Sequence, residues 1–239
     1  MIVTIDGPAG AGKSTVAKLL AARLGFEYLD TGAMYRAVAW AALQAGIDLA
    51  NPEELANFAR NLDITVHRGQ VFVDGKEVGE PLRTPEVTQA SRYAADNDAV
   101  RAHLVTLQRR YAAGRNVVTE GRDQGSLVFP EAEVKFFLTA SPEERARRRL
   151  REYERAGHQV PSFEEVLQEL NARDQRDASR PWGRLVKPPG AIEVATDGLS
   201  VEQVVNHLEA VVRAAIAEKS KRGEIAAERC GQASSGTTG

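Results

Sequence analysis

The chain has 239 residues, of which 43% are hydrophobic, and its formal net charge at pH 7 is −2. A chain of this size and composition can bury a proper core, as one large domain or as one domain with insertions. The near-zero net charge argues against a nucleic-acid-binding or membrane-binding protein, because such proteins usually carry a clear basic excess.

The single cysteine, Cys230, lies in a polar C-terminal stretch. One cysteine excludes a disulfide framework or a zinc site within one chain, and a reducing cytoplasm is the natural setting. The N-terminal sequence MIVTIDG has no charged region, long apolar run or cleavage site, so we expect no signal peptide. No apolar run approaches the roughly 20 residues that span a bilayer. We therefore expect a cytoplasmic protein that binds neither nucleic acid nor membrane.

The first part of the chain reads as a strand followed by helices. The β-branched run at residues 2–5 predicts a buried strand. Apolar residues at helical spacing, with caps and stops at their ends, predict three helices. These helices cover residues 14–24, about 32–44, and a segment that begins at Pro52 behind the cap residue Asn51.

The sequence pattern changes at residues 63–78. These residues alternate apolar and polar side chains and are interrupted by the turn pairs Arg68-Gly69 and Asp74-Gly75. This pattern predicts a small antiparallel ribbon of two or three strands. The later elements are predicted as helices at 84–95, 97–113, 142–156, 162–177 and 200–218, and strands at 116–121, 133–140 and 191–195.

Strands that alternate with helices imply a parallel sheet that is covered on both faces, and the ribbon looks like an insertion into it. Residues 219–239 are small and polar, and we expect them to be disordered.

The sequence GPAGAGKS, from Gly7 to Ser14, fits the phosphate-loop pattern G-x-x-x-x-G-K-[ST] between a predicted strand and a predicted helix. In such a loop, successive backbone N–H groups and the positive end of the helix bind phosphate oxygens. We expect Lys13 to reach the β- and γ-phosphates, and the Ser14 hydroxyl to ligate Mg²⁺. The sequence therefore predicts a site for a nucleoside triphosphate.

A phosphate loop alone does not separate a switch GTPase, a motor ATPase and a small kinase. The sequence has no N-K-x-D or T-K-x-D motif, which counts against the GTPase, and NVVTEGRD is a poor match to the acidic strand of a motor ATPase. A kinase for a small anionic acceptor needs several arginines at one site, to hold two mutually repelling phosphates. A nucleotide-binding switch or interaction protein stays open as the alternative from another class.

Arginines lie where such a site would need them. Arg122 and Asp123 follow a predicted strand and a glycine, at the carboxyl end where open α/β sheets bind ligands. Arg173, Asp177 and Arg180 fall at positions i, i+4 and i+7, so they share one helical face. Both placements favour a functional role, although a solvated surface face can carry the second pattern by chance.

A further run, SPEERARRRLREYER at residues 141–155, is rich in both arginine and glutamate. Most of its arginines are expected to form i,i+4 pairs with glutamates on a solvated face. Arg145 and Arg149 are four residues apart just after a strand end, so a nucleotide contact stays open for these two.

Five stretches then occur together: TIDGPAGAGKST, LDTGAMYRAV, LRTPEV, EGRDQGSLVFPEAEVKFFLTASPEERARRR and RDQRDASR. In this order and spacing, the chain resembles the bacterial cytidylate kinase family, a branch of the nucleoside monophosphate kinases, over roughly residues 1–215. The resemblance implies an α/β, P-loop NTPase-type three-layer fold with a five-stranded parallel sheet. It also implies a monophosphate-binding insert that contains a small antiparallel β-ribbon, and a lid.

On this pattern, residues 1–218 form a single kinase domain and residues 219–239 its polar tail. The resemblance places the core at 1–30, 114–145 and 178–218, the monophosphate-binding region at 31–113, and the lid at about 146–177. It implies transfer of the γ-phosphoryl group of ATP to CMP or dCMP with Mg²⁺, in pyrimidine nucleotide salvage and supply, by a monomer. The nearest alternatives are UMP and AMP as acceptors.

The site residues that the resemblance implies fall into three groups. Asp123 and Arg101 would contact the cytosine ring, and Asp177 the ribose hydroxyls. The catalytic group is Lys13, Arg122, Arg149 and Arg180. The ATP-binding group is Gly7, Pro8, Ala9, Gly10, Ala11, Gly12, Lys13, Ser14, Thr15, Arg145 and Arg149, and the CMP-binding group is Thr31, Tyr35, Arg36, Arg101, Arg122, Asp123, Arg173, Asp177 and Arg180.

The chain departs from the family pattern at a few positions. The family usually has a serine nine residues after the arginine of R-T-x-E-V, but here Ser91 stands at eight and Arg92 at nine. Arg184 and Ala195 replace a proline and an aspartate, and we expect both changes to touch the adenine-side loop. In LDTGAMYRAV, we expect Asp30 or Thr31 to cap a helix whose other face points toward the acceptor phosphate.

Overall fold

The computed structural model of the protein describes residues 1–67, 69–155, 157 and 160–234. Its strands are β1 (Ile2–Asp6), β2 (Glu27–Asp30), β3 (Ile64–His67), β4 (Gln70–Val73), β5 (Lys76–Glu77), β6 (Val117–Glu120), β7 (Val134–Thr139) and β8 (Ile192–Ala195). Its helices are α1 (Lys13–Leu24), α2 (Thr31–Gln44), α3 (Pro52–Asn61), α4 (Pro85–Ala95), α5 (Asp98–Ala112), α6 (Pro142–Arg155), α7 (Phe163–Ser179) and α8 (Val201–Ser234).

Five strands form one parallel sheet in the order β2-β6-β1-β7-β8. The apolar runs of β1 and β6 occupy its centre, where Val3, Ile5, Val117 and Val118 are fully buried. Because the strands are parallel, their carboxyl ends meet at one edge of the sheet. The acidic residues Asp6, Glu120 and Asp30 end the three strands there, while the phosphate loop leaves β1 at the same edge.

Helices cover both faces of this sheet, which confirms the predicted three layers. On one face, α1 and α8 pack together over Val3, Ile5 and Phe136. On the other face, α2, α4 and α5 build a second core around Leu29 and Val117. None of the helices in the described part of the chain combines the length and apolar composition needed to cross a membrane.

The predicted ribbon is a separate antiparallel sheet, in the order β3-β4-β5. Ile64 pairs with Val73 in the β3–β4 register, and both side chains join the α2–α5 core. At the turn between β4 and β5, Asp74 has φ 49° and Gly75 has φ 74°, the left-handed pair that a tight hairpin turn requires. Arg68, in the other predicted turn, lies outside the described residues.

Two elements differ from the sequence-based expectation. The strand β2 was not predicted, because EYLD has four residues and only Leu29 is buried in it. The last helix was predicted to end near Glu218 and to give way to disorder, but α8 continues to Ser234. The stretch after 218 is rich in Lys, Glu, Arg and Ala, which favour a helix. The expected disorder of residues 235–239 falls outside the described residues.

Candidate active site

The glycines of the phosphate loop are required by close packing. Gly7 has φ 143°, and a Cβ atom on it would lie 2.1 Å from the backbone oxygen of Leu138 in β7. Gly10, at φ 77°, lies against Arg145, whose Cβ would be 3.1 Å from an added Cβ. Only glycine satisfies both the dihedral angles and the contacts at these positions. The loop therefore follows the sheet edge closely, and Lys13 begins α1 directly behind it.

Lys13 is buried, and its ammonium donates to the carbonyl oxygen of Pro8 at 2.8 Å. Burial and the positive charge of Arg122 together lower the pKa of Lys13 to about 7, against the opposing carboxylates of Glu120 and Asp6. Lys13 has no ion pair of its own among the described residues. A bound anion would supply the missing negative charge.

Glu120, at the end of β6, joins the donor and acceptor parts of the site. Its side chain accepts from the Ser14 hydroxyl at 2.8 Å, and its backbone oxygen accepts from the Thr31 hydroxyl at 2.7 Å. Burial raises the pKa of the Glu120 carboxyl, and the negative charge of Asp30 raises it as well. Sequence reasoning missed Glu120, although an acidic residue at a predicted strand end, just before a glycine, was an available signal.

Asp6, at the end of β1, binds the backbone of the loop that carries Arg122 and Asp123. Its two carboxylate oxygens accept from the N–H groups of Gln124 and Gly125, each at 2.8 Å. Burial raises the pKa of Asp6 to about 6, and these two hydrogen bonds limit the rise. The strand that leads into the phosphate loop and the predicted acceptor loop are thus joined directly.

One carboxylate holds two of the predicted arginines. Asp177 accepts from Arg122 at 2.8 Å and pairs with Arg180 at 2.7 Å, and Arg180 also reaches Asp96 at 2.9 Å. Burial acts to raise the pKa of Asp177, but the charges of Arg122, Arg180 and Arg173 together hold it below its usual value. The structure therefore brings Asp177, near the end of α7, and Arg180, directly after this helix, together with the Arg122 side chain.

Arg173 differs from its neighbours, because it makes no ion pair within the described part of the chain. Burial lowers its pKa to about 10, and the positive charge of Arg122 contributes in the same direction. Arg173, Arg122 and Lys13 thus form a positive cluster, in which the charge of Arg122 lowers the pKa of both Lys13 and Arg173, and the charge of Arg173 also lowers the pKa of Lys13. Such a cluster is arranged for an anionic ligand.

The N-terminus of α2 carries the next three predicted residues. Asp30 caps the helix, accepting from the N–H of Ala33 at 2.8 Å, and it pairs with Arg36 at 3.2 Å. Of the two predicted cap residues, Asp30 is therefore the one used. Thr31 instead points to Glu120, and the Tyr35 ring lies 5.6 Å from the guanidinium carbon of Arg101.

Arg101 and Asp123, the residues predicted for a base, form a buried ion pair with each other. The Arg101 guanidinium also donates to the carbonyl oxygens of Ala95 and Gly183, each at 3.1 Å. Burial raises the pKa of Asp123, although the neighbouring Arg101 charge opposes the rise. The pair is therefore ordered before any ligand arrives.

The helices α6 and α7 reach back to the phosphate loop through Arg145. Its guanidinium donates to the carbonyl oxygen of Ala9 at 2.9 Å and to the carboxylate of Asp174. Asp174 in turn accepts from the N–H of Ala9 at 3.2 Å. Sequence reasoning missed Asp174, because nothing in its local pattern distinguishes it from the other acidic residues of α7.

Arg149, unlike Arg145, makes its contacts within its own helix. It pairs with Glu152 on its own helix at 2.9 Å and lies 5.5 Å from the Tyr153 ring. The interpretation of this run as a solvated helix thus describes the contacts of Arg149, although its positive charge also lowers the pKa of Arg173.

The departures from the family pattern fall on two sides of the molecule. The Ser91 hydroxyl donates to the carbonyl oxygen of Thr88 at 2.7 Å, while Arg92 is exposed and contacts the Tyr93 hydroxyl at 3.0 Å. Thr196, next to Ala195, lies beside the phosphate loop and accepts from Arg148 at 2.9 Å.

Arg184 was expected at the adenine-side loop, and that expectation stays a prediction. The segment that contains Arg184 connects Arg180 to Leu185, whose N–H donates to the carbonyl oxygen of Asp177 at 2.7 Å. Gly183 in this segment lies against Arg101 and Asp123. The neighbour of Arg184 in the chain therefore contacts the two residues predicted for the base.

Comparison with known proteins identifies the family of this chain. The family model described as "Cytidylate kinase" matches residues 3–214. A cytidylate kinase from Rhodopirellula baltica is 50% identical over 213 residues, covering 89% of this chain and 93% of the relative. A cytidylate kinase from Caldanaerobacter subterraneus subsp. tengcongensis is 47% identical over 223 residues, covering 93% of this chain and 97% of the relative. The chain belongs to the cytidylate kinase family.

Proposed function

We propose that this enzyme transfers the γ-phosphoryl group of ATP to CMP or dCMP, giving ADP and CDP or dCDP, in pyrimidine nucleotide salvage and supply. The observation that carries the proposal is the positive cluster of Lys13, Arg122 and Arg173, in which Lys13 belongs to the phosphate loop and Arg122 precedes Asp123 of the Arg101–Asp123 pair. A cluster in that position suits two phosphates that must approach each other.

On the donor side, the phosphate loop from Gly7 to Thr15 would hold the ATP phosphates through its backbone N–H groups. Lys13 would bind the β- and γ-phosphates, and Arg145 would fix the loop from behind. The Ser14 hydroxyl and the nearby Glu120 carboxylate are hard oxygen donors, which fit Mg²⁺. When bound with ATP, Mg²⁺ would neutralise phosphate charge at this position.

On the acceptor side, Arg36, Arg122 and Arg180 would bind the monophosphate, with Arg173 between it and the γ-phosphate. Thr31 and Tyr35 would line the site, and Asp177 would face the ribose. Asp123 would accept from the exocyclic amine of cytosine, and Arg101 would donate to the ring. These roles are proposals, supported by the convergence of the side chains around the end of β6.

The proposed chemistry needs no general base, because the attacking phosphate oxygen is already deprotonated at neutral pH. Positioning and neutralisation of charge supply the rate. The proposed lid, at about 146–177, would exclude water while both nucleotides are bound. We also propose that the enzyme is a cytoplasmic monomer.

The test is a coupled assay of ADP release with CMP, dCMP, UMP and AMP as acceptors. We expect CMP and dCMP to be the preferred acceptors, and comparable turnover with UMP would contradict the proposed specificity.

Asp123→Ala should lower kcat/KM for CMP by about 10- to 100-fold, the value of one good base contact. Asp98→Ala is a matched control, because Asp98 is exposed on the same helix as Arg101. No turnover with any monophosphate would favour a nucleotide-binding switch.

A further inference from the structure

The two residues assigned to the base are not accessible in this structure. Arg101 is 2% exposed and Asp123 is 4% exposed. A base that is to hydrogen-bond with them must therefore replace something that now covers them. The covering groups come from the short segment 181–184, together with the Tyr35 ring.

Gly183 is the part of this segment that touches the pair. Its carbonyl oxygen accepts from the Arg101 guanidinium at 3.1 Å. Gly183 has φ 68°, and a Cβ atom on it would lie 2.0 Å from Arg101 Nη2 and 2.5 Å from Asp123 Oδ2. The backbone of the segment is thus seated directly on both side chains, at a distance that only glycine permits.

The rest of the segment lies between two fixed points. The Trp182 ring is half-buried against the core of α2, α4 and α5 and lies 5.8 Å from the guanidinium carbon of Arg101, whereas Pro181 and Arg184 are exposed. On either side, Arg180 pairs with the Asp177 carboxylate and the Leu185 N–H donates to the Asp177 carbonyl oxygen, each at 2.7 Å. The segment can therefore leave the pair while both of its ends remain on α7.

We propose that residues 181–184 form a displaceable cover of the base subsite, and that Gly183 sets the affinity for the monophosphate. The carbonyl oxygen of Gly183 takes the place on Arg101 that a ring acceptor atom of the base takes in the complex. Binding is then an exchange of one acceptor for another on the same guanidinium. This proposal rests on the proposed function, because it takes a pyrimidine monophosphate as the incoming ligand.

Two consequences follow from such an exchange. The apparent affinity for the monophosphate is reduced by the fraction of molecules in which the cover is closed. A base that displaces the cover without offering Arg101 an acceptor leaves a buried donor unpaired, which is costly. The cover thus contributes to selection of the base as well as to its affinity.

The first test uses the sign of an affinity change. In Gly183→Ala, both the added Cβ and the left-handed φ disfavour the closed cover, so the Kd for CMP should fall by about fivefold or more. If the segment is instead a fixed wall of the subsite, the same methyl group displaces Arg101 and Asp123, and the Kd rises. A raised or unchanged Kd, measured by calorimetry, overturns the proposal.

Gly190→Ala is the matched control for backbone strain. Gly190 has φ 73°, but an added Cβ would meet no atom within 4 Å. This variant carries the same dihedral cost without touching the pair, so its Kd for CMP should equal that of the wild type. If the Kd for CMP fell as much in Gly190→Ala as in Gly183→Ala, backbone strain alone would explain the effect, and the proposed role of Gly183 in the cover would be overturned.

The second test does not depend on Gly183→Ala folding well. The chain has two tryptophans, Trp40 and Trp182, so Trp40→Phe leaves Trp182 as the only indole reporter. Saturating CMP should change the emission of Trp182 and its quenching by acrylamide, and ATP alone should not. Unchanged Trp182 signals, in a sample that calorimetry shows to be saturated with CMP, overturn the cover while leaving the proposed function intact. A wild-type chain that neither binds nor phosphorylates CMP overturns both.

Discussion

At the scale of single residues, the buried ammonium of Lys13 links the electrostatics of the site to ligand binding. Its pKa is lowered to about 7 by burial and by Arg122, while Arg173 adds to the same effect. A triphosphate brings several negative charges to this position and must raise that pKa. The free and bound proteins therefore hold different numbers of protons over a range that begins near pH 7.

We predict that binding of a non-hydrolysable ATP analogue takes up a proton at pH 8.0. With a pKa of about 7, about nine-tenths of the Lys13 side chains are deprotonated in the free protein at that pH, and binding restores the ammonium. Calorimetry in buffers of different ionisation enthalpy measures the uptake. It should shrink toward pH 6, because the free protein then already carries the proton.

Lys13→Arg is the control for this uptake, since arginine keeps its charge throughout this range. The variant should bind without a buffer-dependent enthalpy at pH 8.0. Equal uptake by wild type and variant would show that another group titrates, and no uptake by the wild type would contradict the lowered pKa.

At this scale the sequence predicts local features better than long-range pairs. The pattern around Lys13 predicted the loop, its strand and its helix, because those features are encoded within a few neighbouring residues. The partners of Glu120, Asp174 and Gly183 were not predictable in this way. Each depends on which strand end or helix is adjacent in the folded sheet, and residues more than 80 positions away make those contacts.

At the scale of elements, the beginning of α7 is fixed by a capping box. The Ser162 hydroxyl accepts from the N–H of Glu165 at 3.2 Å, and the Glu165 carboxylate accepts from the N–H of Ser162 at 2.8 Å. This helix carries Arg173 and Asp177 at its other end. Its first turn packs Val166 and Phe163 against the hydrophobic cluster between α6 and α7, and the cap satisfies the N–H groups that packing does not.

We predict that Ser162→Ala loosens α7 locally. Loss of such a cap costs about 1 kcal/mol, which corresponds to an approximately fivefold rise in the opening equilibrium. Hydrogen exchange of the amides in the first turns of α7 should therefore become about fivefold faster. Gln168→Ala, at an exposed position outside the cap, should leave those rates unchanged. A lowered stability of the whole domain, with no local change, would contradict this prediction.

Elements with a strong periodic signal were predicted from the sequence, and a short one was missed. The ribbon and the strands β1 and β7 can be recognised in the sequence. Burial on one face imposes an alternation of apolar and polar residues, and burial on both faces imposes a continuous apolar run. The strand β2 offers only Leu29 to the core, and its place at the sheet edge is set by pairing with β6. That pairing is visible only in three dimensions.

At the scale of the whole molecule, α8 packs on the domain through its first turns. Among residues 201–221, for which burial is described, the buried ones are Val204, Val205, Leu208 and Val212. The family match ends at residue 214. The kinase domain therefore takes its stability from the first turns of this helix.

We predict that removal of residues 222–239 leaves activity unchanged and the Tm within about 2 °C, as for other changes away from the core. Truncation after residue 207 is the matched comparison, because it removes Leu208 and Val212 from the α1–α8 core. That shorter chain should lose several kcal/mol, from two buried aliphatic side chains. A large loss of Tm on removing only 222–239 would show that the distal helix packs on the domain. Thermal melts followed by circular dichroism, with the coupled kinase assay, decide between these outcomes.

The carboxylate of Asp6 joins β1 to the backbone of Gln124 and Gly125. Because of this joint, the phosphate loop and the loop that carries Arg122 and Asp123 are both tied to the central strand of the sheet. The ribbon insert is a separate sheet, and residues 181–184 lie over Arg101 and Asp123, so these outer parts do not belong to the joint. In the proposed reaction, the span that the phosphoryl group crosses is then set by the sheet. Variation in the outer parts can change which nucleotide is admitted without altering the span.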